Sequence, residues 1–134
     1  MPLRKPYETM LWKASRDARH AARFASDAEV DDEHIGFCCQ QAVEKAIKSV
    51  LSFRGVRYRR THDLSELIEL AGANGIDVPN DVQQGVSLTP FAVEFRYDDL
   101  PEVGATPPEP FDRAEALRIA TAAVAWAEAV ANGG

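Results

Sequence analysis

The sequence predicts an all-α protein: an up-and-down bundle of four to five helices joined mostly by short connections. Apolar residues recur at helical spacing through several long stretches. No stretch alternates apolar and polar residues as a half-buried strand would. Val56 to Tyr58 is too short and too charged to count as one. No internal repeat points to another architecture.

The first helix is expected from about Tyr7 to Asp27. Tyr7, Met10, Leu11, Ala14, Ala18, Ala21, Ala22 and Ala25 share one face. Alanine dominates that face, so a neighbouring helix can approach closely. Arg16, Arg19, His20 and Arg23 gather on the opposite face and read as solvated surface.

The second helix is expected from Asp32 to Phe53. Ile35, Cys38, Cys39, Ala42, Val43, Ala46, Ile47, Val50 and Leu51 keep helical spacing without a miss. Asp31 or Asp32 can cap the start, and Gly55 suits the stop. The apolar set covers more than half the circumference. Phe37, Gln40, Gln41, Glu44, Lys45 and Lys48 fill the remainder. A helix patterned this way belongs in the middle of a bundle or at a subunit interface.

Thr61 or Asp63 opens a third helix, with Leu64, Leu67, Ile68 and Ala71 inward and an end near Gly72. A fourth begins near Pro79 or Asn80. Pro90 must kink or divide it, because proline lacks the N–H that the turn requires. It is expected to resume from Phe91 to about Tyr97. A proline-rich connection follows, read as extended. The last helix starts near Pro110, with Phe111, Ala114, Leu117, Thr121, Val124 and Ala127 on one face.

The bulk numbers agree with one domain spanning residues 1–134. The chain is 46% apolar and 27% charged, within the range of globular proteins. No apolar run approaches the roughly 20 residues that a membrane helix needs. The opening MPLRKPYETM lacks the apolar stretch of a secretory signal. A cytoplasmic protein without membrane contact is the expectation. The adjacent Cys38 and Cys39 read as small buried apolar residues in a reducing compartment. The net charge of −6 argues against a general nucleic-acid coat, and leaves room for a local basic site.

Most catalytic signatures are missing. Neither GxxxxGK[ST] nor GxGxxG occurs. His20, His34 and His62 are far apart, and there is no HExxH or CxxC. No metal or cofactor is expected. Asp98 and Asp99, after Arg96 and Tyr97, read as a helix terminus meeting solvent rather than a cation site. The serines form no nucleophile elbow.

What remains is basic. Residues 54–64 read RGVRYRRTHDL, four arginines and a histidine on one short connection. Arg57 and His62 form an R-x4-H pair. A histidine can take the 2′-hydroxyl proton of RNA or return one to the leaving oxygen. An arginine can hold the phosphate bidentately as charge develops. The alternative is that His62 packs or hydrogen-bonds against a neighbouring helix.

The block Gln40-Gln41-Ala42-Val43-Glu44-Lys45-Ala46-Ile47-Lys48, the break at Gly55, then Thr61-His62-Asp63-Leu64, then Val93-Glu94-Phe95-Arg96-Tyr97-Asp98 follow one another in order. This ordered set resembles the HEPN domain, the "higher eukaryotes and prokaryotes nucleotide-binding" family, from about Tyr7 to Ala127. The resemblance implies a bundle of four or five helices that usually dimerises. It also implies a link to nucleotides or RNA, and pairing with a minimal nucleotidyltransferase as a toxin–antitoxin couple. Active relatives are metal-independent ribonucleases with an R-x4-6-H motif late in the fold, at the dimer cleft.

This chain departs from that pattern. Arg96 is followed by Tyr97-Asp98-Asp99-Leu100-Pro101, no histidine occurs after His62, and the R-x4-H comes early. His62 and Arg96 match positions that a non-canonical bacterial branch keeps. The first expectation is therefore a dimer that binds a nucleotide or RNA through Arg59, Arg60, Arg96, Tyr97, Lys45 and Lys48, beside a nucleotidyltransferase. The second is a metal-independent endoribonuclease whose catalytic pair is Arg57 and His62. The third is a helical interaction module without a ligand.

Overall fold

A computed structural model describes residues 4–92 and 111–133. These residues form α1 (Pro6–Phe24), α2 (Asp32–Phe53), α3 (Leu64–Ala73), α4 (Asn80–Gln83) with a 3-10 helix (Gln84–Ala92), and α5 (Arg113–Ala131). Among them there is no strand. No helix among the described residues is long and apolar enough to cross a membrane.

α2 is the axis of the bundle. It packs against α1, α5, the 3-10 helix and α3. Its bounds are those the apolar spacing predicts. Ile35, Cys39, Ala42, Val43, Ala46, Ile47 and Leu51 are fully buried. Each buried Ile or Leu contributes about 1.5–3 kcal/mol by leaving water. The helix lies in the middle of the bundle within a single copy of the chain. Ala14 and Ala21 of α1 are likewise fully buried, and alanine lets the two helix backbones approach closely.

The stops are chemical. After α2, Gly55 takes φ +74°, a left-handed conformation that costs other residues about 1–2 kcal/mol. Its N–H bonds Ser52 O at 3.1 Å, and Val56 N–H bonds Leu51 O at 2.8 Å. This pair of bonds satisfies carbonyls that the helix end leaves open. Gly75 (φ +77°) and Ile76 close α3 in the same way. Of the two candidate openers of α3, Asp63 is the cap. Its carboxylate accepts from Ser65 N at 3.0 Å and Glu66 N at 3.4 Å.

Three boundaries differ from expectation. α1 stops at Phe24 rather than Asp27, because Asp27 N–H turns back to Phe24 O and Asp27 Oδ1 accepts from Glu29 N. α5 starts at Arg113 rather than near Pro110, because Asp112 is its cap, accepting from Glu115 N at 3.0 Å. The fourth element is one α turn followed by 3-10 winding that runs through Pro90. Gly85 there sits so close to α2 and α5 that a Cβ would meet Val43 Cγ1 at 3.0 Å and Ile119 Cγ2 at 3.3 Å. The expected continuation from residue 93 to Tyr97 lies outside the described residues.

Cys38 and Cys39 form no disulfide and are buried, with Cys38 Sγ 3.9 Å from His34 Nε2. Burial, with the neighbouring Cys38, pushes the Cys39 thiol up to about 12. Neutral at ordinary pH, the Cys39 thiol packs as a small apolar group.

Candidate functional site

The polar strip of α2 is the surprise of the bundle. Gln40 is fully buried, Glu44 is 3% exposed and Lys48 is 7% exposed. These residues stand four apart, so their side chains stack along one face. Gln40 Nε2 donates to Glu44 Oε1 at 2.8 Å, and Lys48 Nζ donates to Glu44 Oε2 at 2.8 Å. Gln41 Nε2 donates to Gln40 Oε1 at 2.7 Å. A buried carboxylate must be paired or neutral. Burial alone would push the Glu44 carboxyl up. Hydrogen bonds from Lys48, Gln40 and His62, with the Lys48 charge, outweigh it and hold the pKa below the ordinary carboxylate value.

The third partner of Glu44 comes from the connection between α2 and α3. His62 Nδ1 lies 3.0 Å from Glu44 Oε1. An ionised carboxylate only accepts, so Nδ1 carries the proton and donates. In the neutral ring Nε2 then keeps its lone pair. The His62 side chain is 56% exposed while its carboxylate partner is 4% exposed. The dyad therefore has a buried, ionised foot and a solvent-facing imidazole. The contact fixes the tautomer and the orientation of the imidazole.

The connection is anchored at further points. Tyr58 and Val56 pack against the core. Lys48 Nζ sits 5.6 Å from the centre of the Tyr58 ring, a favourable cation–π distance. Thr61 Oγ1 accepts from Asp63 N at 3.0 Å. The arginines between these anchors divide into two kinds. Arg59 makes a two-pronged pair with Glu66, Nε to Oε2 and Nη2 to Oε1, both at 2.7 Å. Arg57 and Arg60 are exposed, and their side chains make no hydrogen bond or ion pair among the described residues.

The residues singled out by sequence are thus distributed unevenly. Lys48 joins His62 on Glu44. Lys45 turns the other way, to α1, where Nζ meets Asp17 Oδ2 at 2.7 Å and Asp17 also faces Arg16 at 3.3 Å. Arg57 lines an open cleft with the start of α1. Arg96 and Tyr97 lie outside the described residues. No group of three or more His, Cys, Asp or Glu side chains converges as a metal site among the described residues. In the sequence Glu44 and Gln40 stand out as part of a polar face and of the block that resembles the family, not as site residues. The Gln40–Glu44–Lys48 spacing of four was the signal that marked them as a ladder.

An arginine elsewhere has the opposite character. Arg113, at the start of α5, clamps the connection between α1 and α2. Its Nη1 donates to Ala25 O at 2.9 Å and Asp27 O at 3.1 Å, and its Nη2 donates to Val30 O. Its Nε donates to Asp32 Oδ1 at 2.8 Å.

Comparison with known proteins gives a consistent picture. The HEPN domain family matches residues 7–130. An archaeal HEPN homologue, ST0689, is similar in structure with a TM-score of 0.67 at 27% identity, covering 96% of this chain and 99% of its own. TT1696 from Thermus thermophilus is similar with a TM-score of 0.68 at 27% identity, covering 92% of this chain and 96% of its own. No curated protein matches the chain at a significant level.

Proposed function

The chain belongs to the HEPN domain family, and from that premise we propose that it binds a nucleotide or RNA through the cationic connection between α2 and α3. One observation carries this reading: Arg57 and Arg60 are exposed without a carboxylate partner among the described residues, on the same short segment as a histidine fixed by Glu44. By contrast Arg59, on the same connection, and Lys45, Lys48 and Arg118 have carboxylate partners. A guanidinium with its donors free matches a phosphate bidentately. Arg59 would reach a phosphate only by leaving Glu66. Lys45 and Lys48 add positive potential rather than direct contacts. Arg96 and Tyr97 belong to the same proposed set. The family resemblance adds a homodimer and a nucleotidyltransferase partner, in a toxin–antitoxin arrangement.

The test is fluorescence anisotropy with a labelled oligoribonucleotide. Affinity should fall with added salt, as phosphate contacts require, and should collapse in the Arg57→Ala/Arg60→Ala double variant. Unchanged affinity in that variant rejects the site. Light scattering on the purified chain tests the dimer.

A second reading, a metal-independent endoribonuclease, is favoured by the Glu44–His62 dyad. With Nδ1 held by Glu44, His62 Nε2 is free to take the proton of a 2′-hydroxyl. The resulting O2′ attacks phosphorus, the bond to O5′ breaks, and a 2′,3′-cyclic phosphate forms while O5′ takes up a proton. Arg57 would hold the phosphate oxygens. The expected result is cleavage that survives EDTA, leaves cyclic phosphate ends and disappears in His62→Ala. Folded protein that leaves diverse RNAs intact rejects this reading.

A further inference from the structure

We propose that the cleft beside Arg57 is a nucleotide subsite, with the phosphate held between Lys5 and Arg57 and the base stacked against Phe53. The inference rests on the nucleotide-binding reading and says where on the chain one nucleotide unit sits. The cleft has a volume of ≈ 550 Å³ and is walled by the start of α1, the end of α2 and the segment after it, with Lys5, Tyr7, Ser52, Phe53 and Arg57 in its lining. That volume suits a small ligand.

Three features of the lining fit a nucleotide. First, it contains two cationic side chains and no carboxylate. Neither cation has an ion-pair partner among the described residues, so an entering anion displaces only water. Second, Phe53 is a large apolar side chain left 38% exposed at the last position of α2. Tyr7 meets it edge-on, with ring centroids 5.0 Å apart and planes at 76°. Tyr7 thus fixes the phenyl ring and leaves much of it in water. A held, half-exposed ring is a stacking platform, and bases of any identity stack on one. Third, two hydroxyl-bearing residues, Ser52 and Tyr7, are in the same walls, a side-chain chemistry suited to ribose or base edges. Aromatic platform, paired cations and hydroxyls are the elements with which proteins grip single nucleotides without strict sequence preference.

The chemistry is shared by two sources, a free nucleoside monophosphate and a nucleotide unit within an RNA strand. The experiment uses AMP, inorganic phosphate and a fluorescein-labelled oligouridylate, with the wild-type chain and four variants checked for an unchanged melting profile. Phe53→Leu keeps apolar packing against Tyr7 and removes the platform. It should weaken AMP and RNA binding about tenfold, with no change in the salt dependence. Lys5→Ala and Arg57→Ala should each lower the slope of log affinity against log salt by about 0.7 for RNA. Inorganic phosphate should bind far more weakly than AMP. AMP that displaces the RNA identifies the free nucleotide as an occupant. RNA binding that AMP does not displace but Phe53→Leu weakens identifies a unit within a strand. Binding that falls in Arg60→Ala but ignores Phe53→Leu and Lys5→Ala overturns the cleft and leaves the broader reading standing. Folded protein that binds neither AMP nor RNA overturns both.

Discussion

Two connections in this bundle are rich in polar contacts, and they use arginine in opposite ways. Between α1 and α2, one guanidinium from α5 is directed inward onto four backbone carbonyls, those of Phe24, Ala25, Asp27 and Val30, and the Asp32 carboxylate. Between α2 and α3, the backbone is anchored by other groups: Tyr58 and Val56 on the core, Asp63 at the helix cap, His62 on Glu44. There Arg57 and Arg60 play no part in holding the loop. In the first case removing the arginine leaves backbone groups without partners. In the second, removing Arg57 or Arg60 takes away no such contact among the described residues, and of the loop's arginines only Arg59, paired with Glu66, ties it to α3. Charge density in a sequence does not separate these cases; the destination of each donor does.

The widest test of the contrast is Glu44→Ala. It leaves Lys48 buried without its partner and releases His62, and breaking such a pair costs about 3–5 kcal/mol. Urea denaturation should show that loss, and a cost under about 1 kcal/mol would mean that the second connection is not anchored through Glu44. Arg113→Ala comes next, at about 2–3 kcal/mol for a charged group serving several acceptors. The comparison breaks if this variant is no less stable than Arg57→Ala.

A pH titration sharpens the same point. The Glu44 pKa is depressed in the folded chain. Its contribution to stability is therefore complete above the unfolded-state value of about 4.3. It is lost as the pH falls through the lower folded-state value. Glu44→Gln should flatten that acid limb of the stability curve, and an unchanged limb would assign the acid sensitivity to other carboxylates. Gly55→Ala should cost about 1–2 kcal/mol, because alanine is strained at φ +74°. The smallest effect is the most telling. Arg57→Ala and Arg60→Ala should each shift the melting temperature by no more than about 2 °C, while the double variant loses its affinity for RNA.

Much of this fold was legible because apolar spacing reports which helix face is buried; α5 is the exception, since Ala114 and Thr121 of the expected face are exposed and Ala116, Ile119, Ala120 and Ala123 are buried instead, alanine on every side leaving its spacing ambiguous. The bounds of α2 and the stop at Gly55 follow directly from it. The 3-10 winding from Gln84 to Ala92 was not legible. Pro90 signals an interruption there but not the winding that results, and the close seating of Gly85 on Val43 and Ile119 is a tertiary contact that the sequence does not display. The candidate site was legible in part. The cationic connection and His62 stand out in the sequence, but the burial of Glu44 does not. A Gln, Glu and Lys in a row on a helix look the same whether they face water or one another. Only the apposition of α1 and the 54–63 segment decides. Asp17 was hidden for the same reason, a single acidic residue within a basic stretch whose partner lies 28 positions away.

The deep placement of Cys39 gives the molecule an internal clock. A thiol that is fully enclosed and ionises only near 12 is almost inert to iodoacetamide at neutral pH, since only the thiolate reacts. Alkylation must therefore wait for α2 to come apart from its neighbours. The labelling rate at Cys39, resolved from that at Cys38 by tandem mass spectrometry, then counts openings of the packing around α2. The same count taken on ligand-saturated protein would translate occupancy of a distant surface cleft into a slower tick.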